Sequence, residues 1–361
     1  MMLLRLEPRA EASRRARVLA PFLAAALTLV CGGVLFAGLG YDPLVAFHAF
    51  FIKPVSSLYG LGEVALKASP LLLIALGLAV GFRANVWNIG AEGQLTMGAI
   101  AGGGVALACP QGDAVWLLPA MILAGALGGG AWAAIPAYLR TRCNASEILT
   151  SLMLSYVALL VLSYLVHGPW RDPQGFNFPQ SRQFEDAALL PILVEGTRVN
   201  LGCVLPLAAL AAVWLLLERS FIGFQIKVLG LAPGAARYAG FKETRLVWLS
   251  LLLGGAFAGI AGSAEVAGPI GQLLPRISPG YGFTAIIVAF LGQLHPLGIL
   301  AASLLVALIY LGGESVQLSL GLPPAVAGVF QGMLLFFLLG CDVLVRYRVR
   351  FGKSRVTAPT P

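Results

Sequence analysis

Asn85-Val86-Trp87-Asn88-Ile89-Gly90-Ala91-Glu92-Gly93-Gln94 is a polar, glycine-bearing run pressed between the apolar stretches Leu71–Phe82 and Leu95–Cys109. Hydrophobic chain on both sides places it at or within a bilayer. Backbone that leaves a helix there is tolerated only where protein or a water-filled cavity satisfies it. An ionisable residue such as Glu92 is costly in that setting and marks a functional position. The run predicts a membrane helix that is broken rather than continuous.

Working outward, the composition agrees. Of 361 residues 58% are hydrophobic and 11% are charged, whereas soluble domains carry about 25% charged residues. Apolar runs recur at 18–39, 64–82, 93–109, 114–139, 147–167, 201–217, 246–262, 282–294, 296–312 and 325–345. With about 20 apolar residues needed per crossing, they predict an all-α integral membrane protein of about ten transmembrane helices. The 282–294 run is short and meets the next at Leu294-His295-Pro296, so one of that pair is expected to be a half-helix. Val18–Leu39 exceeds the roughly 7–15 residues of a signal-peptide core and reads as a retained first span.

Charge placement sets the expected topology. Of the 24 Lys and Arg, 18 fall in residues 1–17, at Arg83, at Arg140 and Arg142, in residues 218–245, or after residue 345. Under the positive-inside rule these segments are cytoplasmic, with both termini inside. The expected organisation is a basic N-terminal segment (1–17), a transmembrane domain (18–345) and a cytoplasmic tail (346–361). Within the domain lie an extracytoplasmic loop (168–200) and a cytoplasmic loop (218–245). Topology thus explains the net charge of +8 without a nucleic-acid partner. The isolated histidines and scattered cysteines offer no metal-ligand spacing, and Asp42, Asp113, Asp172 and Asp186 fall in outer loops rather than as the paired aspartates in facing spans that intramembrane hydrolysis would need. Glu63 and Lys67, four apart at an outer helix start, are expected to pair along one face.

The 218–245 loop contains a short element of its own. Ala232–Ala239 can form a helix, with Pro233 accommodated in its first turn and Gly240 ending it. A short cytoplasmic helix between two spans is a lever for a soluble partner, whereas a basic loop resting on anionic headgroups explains the charge but not the helix. Elsewhere small residues recur four apart, as at Gly98/Gly102, Gly125/Gly129, Gly255/Gly259 and Gly328/Gly332. Such spacing lets helix backbones approach closely.

Three stretches together resemble the permease subunits of bacterial ABC importers, in the simple sugar and nucleoside (branched-chain amino acid permease-like) branch. They are Asn88–Gln94 with Gly98-Ala99, then Val228–Phe241 running into Gly255–Gly262, then Gly280–Gly292 with Pro296–Leu300. Gln293, His295 and Ala232 depart from the pattern and leave the solute open. The resemblance implies a permease of the bacterial inner membrane that carries a nucleoside or simple sugar. It also implies a second, similar or identical permease, a cytosolic ABC ATPase holding ATP and Mg, and an extracytoplasmic solute-binding protein. Gly230, Ala235, Ala236, Arg237, Tyr238 and Gly240 would then form the ATPase-coupling loop.

The residues themselves fit that reading. No GxxxxGK[ST] motif is present, so the chain has no P-loop of its own, is not expected to be an enzyme, and needs no cofactor. Amides and carboxyls suit hydroxyl-rich ligands, which makes Asn85, Asn88, Glu92, Gln94, Gln293 and Gln331 candidates for the path, with Tyr281 as a stacking surface. Each has a plainer role open to it: Asn88 as a helix cap, Glu92 as a cap on a half-helix. The alternative of a secondary transporter driven by an ion gradient also places broken helices at midplane. Such proteins need intramembrane acids, in which this chain is poor apart from Glu92.

Overall fold

The apolar runs fold as helices, and residues 3–8 and 347–352 as a two-stranded ribbon, in the computed structural model, which describes residues 3–8, 14–109, 115–323 and 325–352. Strand β1 (Leu3–Pro8) precedes α1 (Arg14–Gly38) and α2 (Pro43–Phe47), which runs on through a π turn at His48–Ile52. Next come α3 (Leu58–Arg83), α4 (Ala91–Ala108), α5 (Leu117–Cys143) and α6 (Glu147–His167). A long irregular connection leads to α7 (Leu205–Arg219), α8 (Phe221–Leu231), α9 (Pro233–Tyr238) and α10 (Glu243–Glu265). The chain closes with α11 (Tyr281–Leu291), α12 (Pro296–Leu320), α13 (Ala325–Arg346) and β2 (Tyr347–Gly352). Asp113, residues 9–13 of the N-terminal segment, and Lys353 and Arg355 of the tail lie outside the described residues.

The expectation of about ten transmembrane helices is corrected. Among the described residues six helices are long and apolar enough to cross a membrane: Leu58–Arg83, Leu117–Cys143, Glu147–His167, Leu201–Arg219, Glu243–Ile270 and Pro296–Leu320. Apolar runs in a sequence do not separate a full crossing from a fraction of one. Tyr281–Leu291 is a short helix, and α4 dilutes its apolar residues with Glu92, Gln94, Thr96 and a run of glycine. Conversely α10 lengthens through a π turn to Ile270. The 218–245 segment is also less of a loop than expected, since most of it is α8 and α9.

The chain forms two compact units, Pro54–Leu311 and the described parts of Met1–Lys53 with Gly312–Pro361. In the first, every residue from Leu71 to Phe82 is buried, as befits a helix apolar on all sides. Glycine sets the spacing of α4, α5 and α10. A Cβ on Gly98 would lie 2.2 Å from the Gly259 Cα, and one on Gly259 would lie 2.0 Å from the Gly125 carbonyl oxygen. Lipid tails are as apolar as leucine, so close backbone packing rather than the hydrophobic effect holds such helices together. The Glu63 carboxylate is taken by Arg198 at 2.7 and 2.5 Å. That bidentate pair fastens α3 to the connection before α7.

In the second unit α1 packs against α13. The rings of Phe36 and Phe50 lie 5.5 and 4.6 Å from that of Phe330. The Tyr41 hydroxyl donates to the Leu320 carbonyl at 3.0 Å. β1 and β2 pair antiparallel from Leu3↔Gly352 to Pro8↔Tyr347, which brings the two chain ends side by side.

Gly259→Leu should cost at least the ~1–3 kcal/mol of ordinary overpacking, because its neighbours are backbone. Gly328→Leu, with nothing within 4 Å of its added carbon, should be near neutral. Thermal melting of the purified protein in detergent checks the contrast.

Candidate functional site

The break before α4 is built by satisfying backbone, one donor at a time. After Arg83 the chain turns through Asn85, a non-glycine residue at φ 57, and runs irregularly to Gly90. Asn85 is exposed, and its Oδ1 accepts from Trp87 Nε1 at 3.0 Å. The Trp87 N–H donates to Glu147 Oε1 at 3.3 Å, and the Ile89 N–H donates to Ser151 Oγ at 3.2 Å. Both acceptors sit on α6, so that helix supplies what the interrupted ladder lacks. Glu147 is itself held by Arg140 of α5. Gly90 is required here, since a Cβ would lie 2.6 Å from the Ser151 carbonyl oxygen.

The buried polar side chains of the run answer one another. Asn88 and Gln94 form a reciprocal amide pair: Asn88 Nδ2 donates to Gln94 Oε1 at 2.8 Å, and Gln94 Nε2 donates to Asn88 Oδ1 at 3.1 Å. Asn88 Oδ1 also accepts the Gly90 N–H at 3.0 Å. Asn88 thus makes an Asx turn leading into α4, which begins at Ala91 with Gly90 as its cap. Glu92 is 3% exposed and its Oε2 accepts the Gly282 N–H at 2.7 Å. That N–H belongs to the first turn of α11, where peptide donors lack intrahelical partners and the helix dipole favours an acid. A Cβ on Gly282 would lie 2.2 Å from the Glu92 nitrogen, so α11 starts directly against α4.

α11 is the half-helix expected near 282–294. Ser278 Oγ accepts the Gly280 and Tyr281 N–H groups at 3.0 and 2.8 Å. Tyr281 is buried, with its ring edge-on to Tyr310 at 5.8 Å. Gln293 is exposed in the α11–α12 turn, where it and Leu294 have φ of 53 and 56. Gln331 lies on α13, in the unit of the chain ends, and its amide nitrogen is buried without a hydrogen-bond partner among the described residues. Of the expected path residues, Asn88, Glu92, Gln94 and Tyr281 come together around the α4–α11 contact.

The second group of expected residues forms one surface. Gly230 ends its helix against α3, with the Arg83 carbonyl oxygen 2.0 Å from where a Cβ would lie. α9 starts with Pro233 at its first position and is followed by Gly240 at φ 76. Ala235, Ala236, Arg237 and Tyr238 fall on its single turn and a half. Ala236 faces inward at 1% exposed and Tyr238 outward at 98%. Arg237 pairs with Glu243 at 3.3 Å on the surface. Beside them Phe221, Phe224 and Phe241 meet at 6.0–6.2 Å between ring centroids.

Residues 60–339 match the model of the family described as branched-chain amino acid transport system, permease component. The chain belongs to that family. It is 39% identical to the glucose ABC transporter permease protein TsgB13 of Haloferax volcanii, over 98% of this chain and 95% of the relative. It is 29% identical to the guanosine ABC transporter permease protein NupP of Bacillus subtilis, over 94% and 96%. With the nucleoside ABC transporter permease protein NupB of Lactococcus lactis it shares 28% over 89% and 90%. The protein is a transmembrane permease subunit of an ABC-type importer, and ATP hydrolysis resides on a separate partner.

Several residues that hold this permease together were not singled out from the sequence. Arg83 joins Glu218 at 2.9 Å and the Leu294 carbonyl at 3.0 Å. Glu147 and Ser151 serve the break, Ser278 caps α11, and Arg198 holds Glu63. Arg83 and Arg140 serve as topology markers in the sequence, and nothing local to Arg83 shows partners 135 and 211 residues away. A signal was present for Ser278: Ser278-Pro279-Gly280 ahead of an apolar run is a helix-start pattern.

Glu92→Ala should destabilise the permease by ~1–3 kcal/mol, because the Gly282 N–H is left buried and unpaired. Glu92→Gln, which keeps an acceptor oxygen, should cost less. Loss of monodisperse protein with temperature, followed by size-exclusion chromatography, ranks the variants.

Proposed function

We propose that the permease forms the translocation path for a neutral, hydroxyl-rich solute, a simple sugar or a nucleoside. It would be paired with a second permease, fed by an extracytoplasmic binding protein, and driven by a cytosolic ATPase that docks on α8 and α9. The observation that carries the ATPase contact is the exposed Tyr238, displayed on a short helix fixed at both ends by Pro233 and Gly240. Phe221, Phe224 and Leu231 of the preceding α8 are exposed as well. A partly apolar patch with a tyrosine at its centre has the make-up of an interface hot spot. In this reading Asn88, Glu92 and Gln94 shape the path by fixing the break.

Support for the solute class comes from the relatives, named for glucose, guanosine and nucleoside transport. All three solutes present hydroxyl groups to amide and carboxyl side chains. The cytoplasmic placement of both termini and of α8–α9 follows from the concentration of Lys and Arg. The pairing of β1 with β2 supports it, since it requires both ends on one side of the membrane.

Tyr238→Ala should weaken ATPase association by about 2 kcal/mol or more, seen as loss of the ATPase from the complex on purification. Uptake of labelled glucose and guanosine by proteoliposomes holding the whole transporter should require ATP inside. Uptake driven by an ion gradient without ATP, or retention of the ATPase by Tyr238→Ala, would sink this assignment.

A further inference from the structure

We propose that Arg83 is a positioning residue for transport, passing movement of the α8–α9 surface to the half-helix α11. The proposal rests on the reading of α9 as the ATPase contact. Arg83 is the last residue of α3, and its side chain is 20% exposed. Nη1 stands 2.9 Å from Glu218 Oε1 at the end of α7. Nε donates to the Leu294 carbonyl at 3.0 Å, in the turn that closes α11. Its own carbonyl is the atom against which Gly230 of α8 packs. One residue therefore touches α7, α8 and the α11–α12 turn. Guanidinium chemistry suits the position, because Nε and Nη lie in one rigid plane. A lysine would keep the charge but could not hold both partners in those directions.

The turn at Leu294 is built to be held. Gln293 and Leu294 both have left-handed backbone, a conformation that persists where its surroundings over-determine it. The Leu294 N–H returns to the Ala289 carbonyl at 2.9 Å while its own carbonyl goes to Arg83. A Cβ on Gly292 would lie 2.4 Å from the Ile299 nitrogen, so α11 and α12 meet backbone to backbone at the turn. At its other end α11 is fastened by the Gly282 bond to Glu92. A helix of 11 residues, about 16 Å long at 1.5 Å per residue, is thus held at both ends. Glu92 joins it to the broken helix α4, and Arg83 joins it to the segment beneath. Displacement of α8 reaches α11 through one backbone contact and the bond to Leu294, while the Glu218 pair ties in α7, a physical link of the kind energetic coupling needs.

The test measures ATP hydrolysis and uptake in parallel on the complete transporter in proteoliposomes. Arg83→Gln removes the ion pair and the bond to Leu294, and uptake per ATP hydrolysed should fall about tenfold, within the usual range of coupling between sites. Arg83→Lys keeps the charge opposite Glu218 and should fall by a smaller factor. In the same Lys variant hydrogen exchange at residues 292–295 should rise, while exchange at Gly282 stays at the wild-type level. Should Arg83→Gln fail to fold, the Lys variant and Glu218→Gln carry both readouts. An unchanged ratio of uptake to hydrolysis, with the two activities falling together, would overturn the proposal, as would unchanged exchange at the turn. Tyr238→Ala separates this from the reading it rests on. If that variant loses the ATPase while the Arg83 variants keep a normal ratio, the link through Arg83 alone is wrong. If it keeps both the ATPase and uptake, the α9 contact is wrong and the proposal goes with it.

Discussion

Backbone that leaves a helix inside hydrocarbon has no water to turn to, and most of what is distinctive in this permease answers that constraint. The bond from Glu92 to the Gly282 N–H is the central answer. It pairs a donor at the buried start of α11 with the acid that opens α4, so two interrupted elements complete each other. The helix dipole makes an acid the favoured partner there. Without that bond α11 would begin with an unpaired donor in a dry interior, and a half-helix would have no reason to stop where it does. Ser278, Ser151 and Glu147 carry the same logic to the neighbouring turns.

Glycine makes the arrangement possible at short range. Gly282 against Glu92, Gly98 against Gly259 and Gly90 against Ser151 each bring one backbone onto another with no room for a side chain. The broken segment is thereby buried in protein rather than exposed to lipid. α5 and α6 turn Leu127, Leu149, Met153 and Leu160 outward, where acyl chains or a partner permease can cover them. A rigid central bundle around a deliberately interrupted pair of helices is what a transporter needs. Parts that move against each other must first be rigid in themselves, and interruptions supply the places where they can move.

Legibility followed the range of the interaction. The interruption at Asn85–Gln94 was readable because polarity and glycine within an apolar run are local facts. So were the Pro233-to-Gly240 helix, whose start and stop signals lie in its own sequence, and the shortness of 282–294. The count of spans was not readable. A run of apolar residues has the same composition whether its helix is long enough to cross the bilayer, is short as α11 is, or extends through a π turn as α10 does. The path residues were legible as polar, but their partners were not. Asn88 and Gln94 are each other's hydrogen-bond partners, and Glu63 takes Arg198 across 135 residues, a pairing that no local spacing announces.

By itself the sequence determined the membrane class, the site of the break, the short helix between α8 and α10, and, through three motifs in order, the family. These rest on hydrophobicity, turn chemistry and local spacing, which act within a few residues. The tertiary structure alone decided that Glu92 serves the α11 terminus, that Arg83 joins three elements, and that six helices rather than ten, among the described residues, are long and apolar enough to span. Those outcomes depend on which distant groups meet. In a medium without water, a polar group's role is set by the partner that reaches it, and no local pattern names that partner.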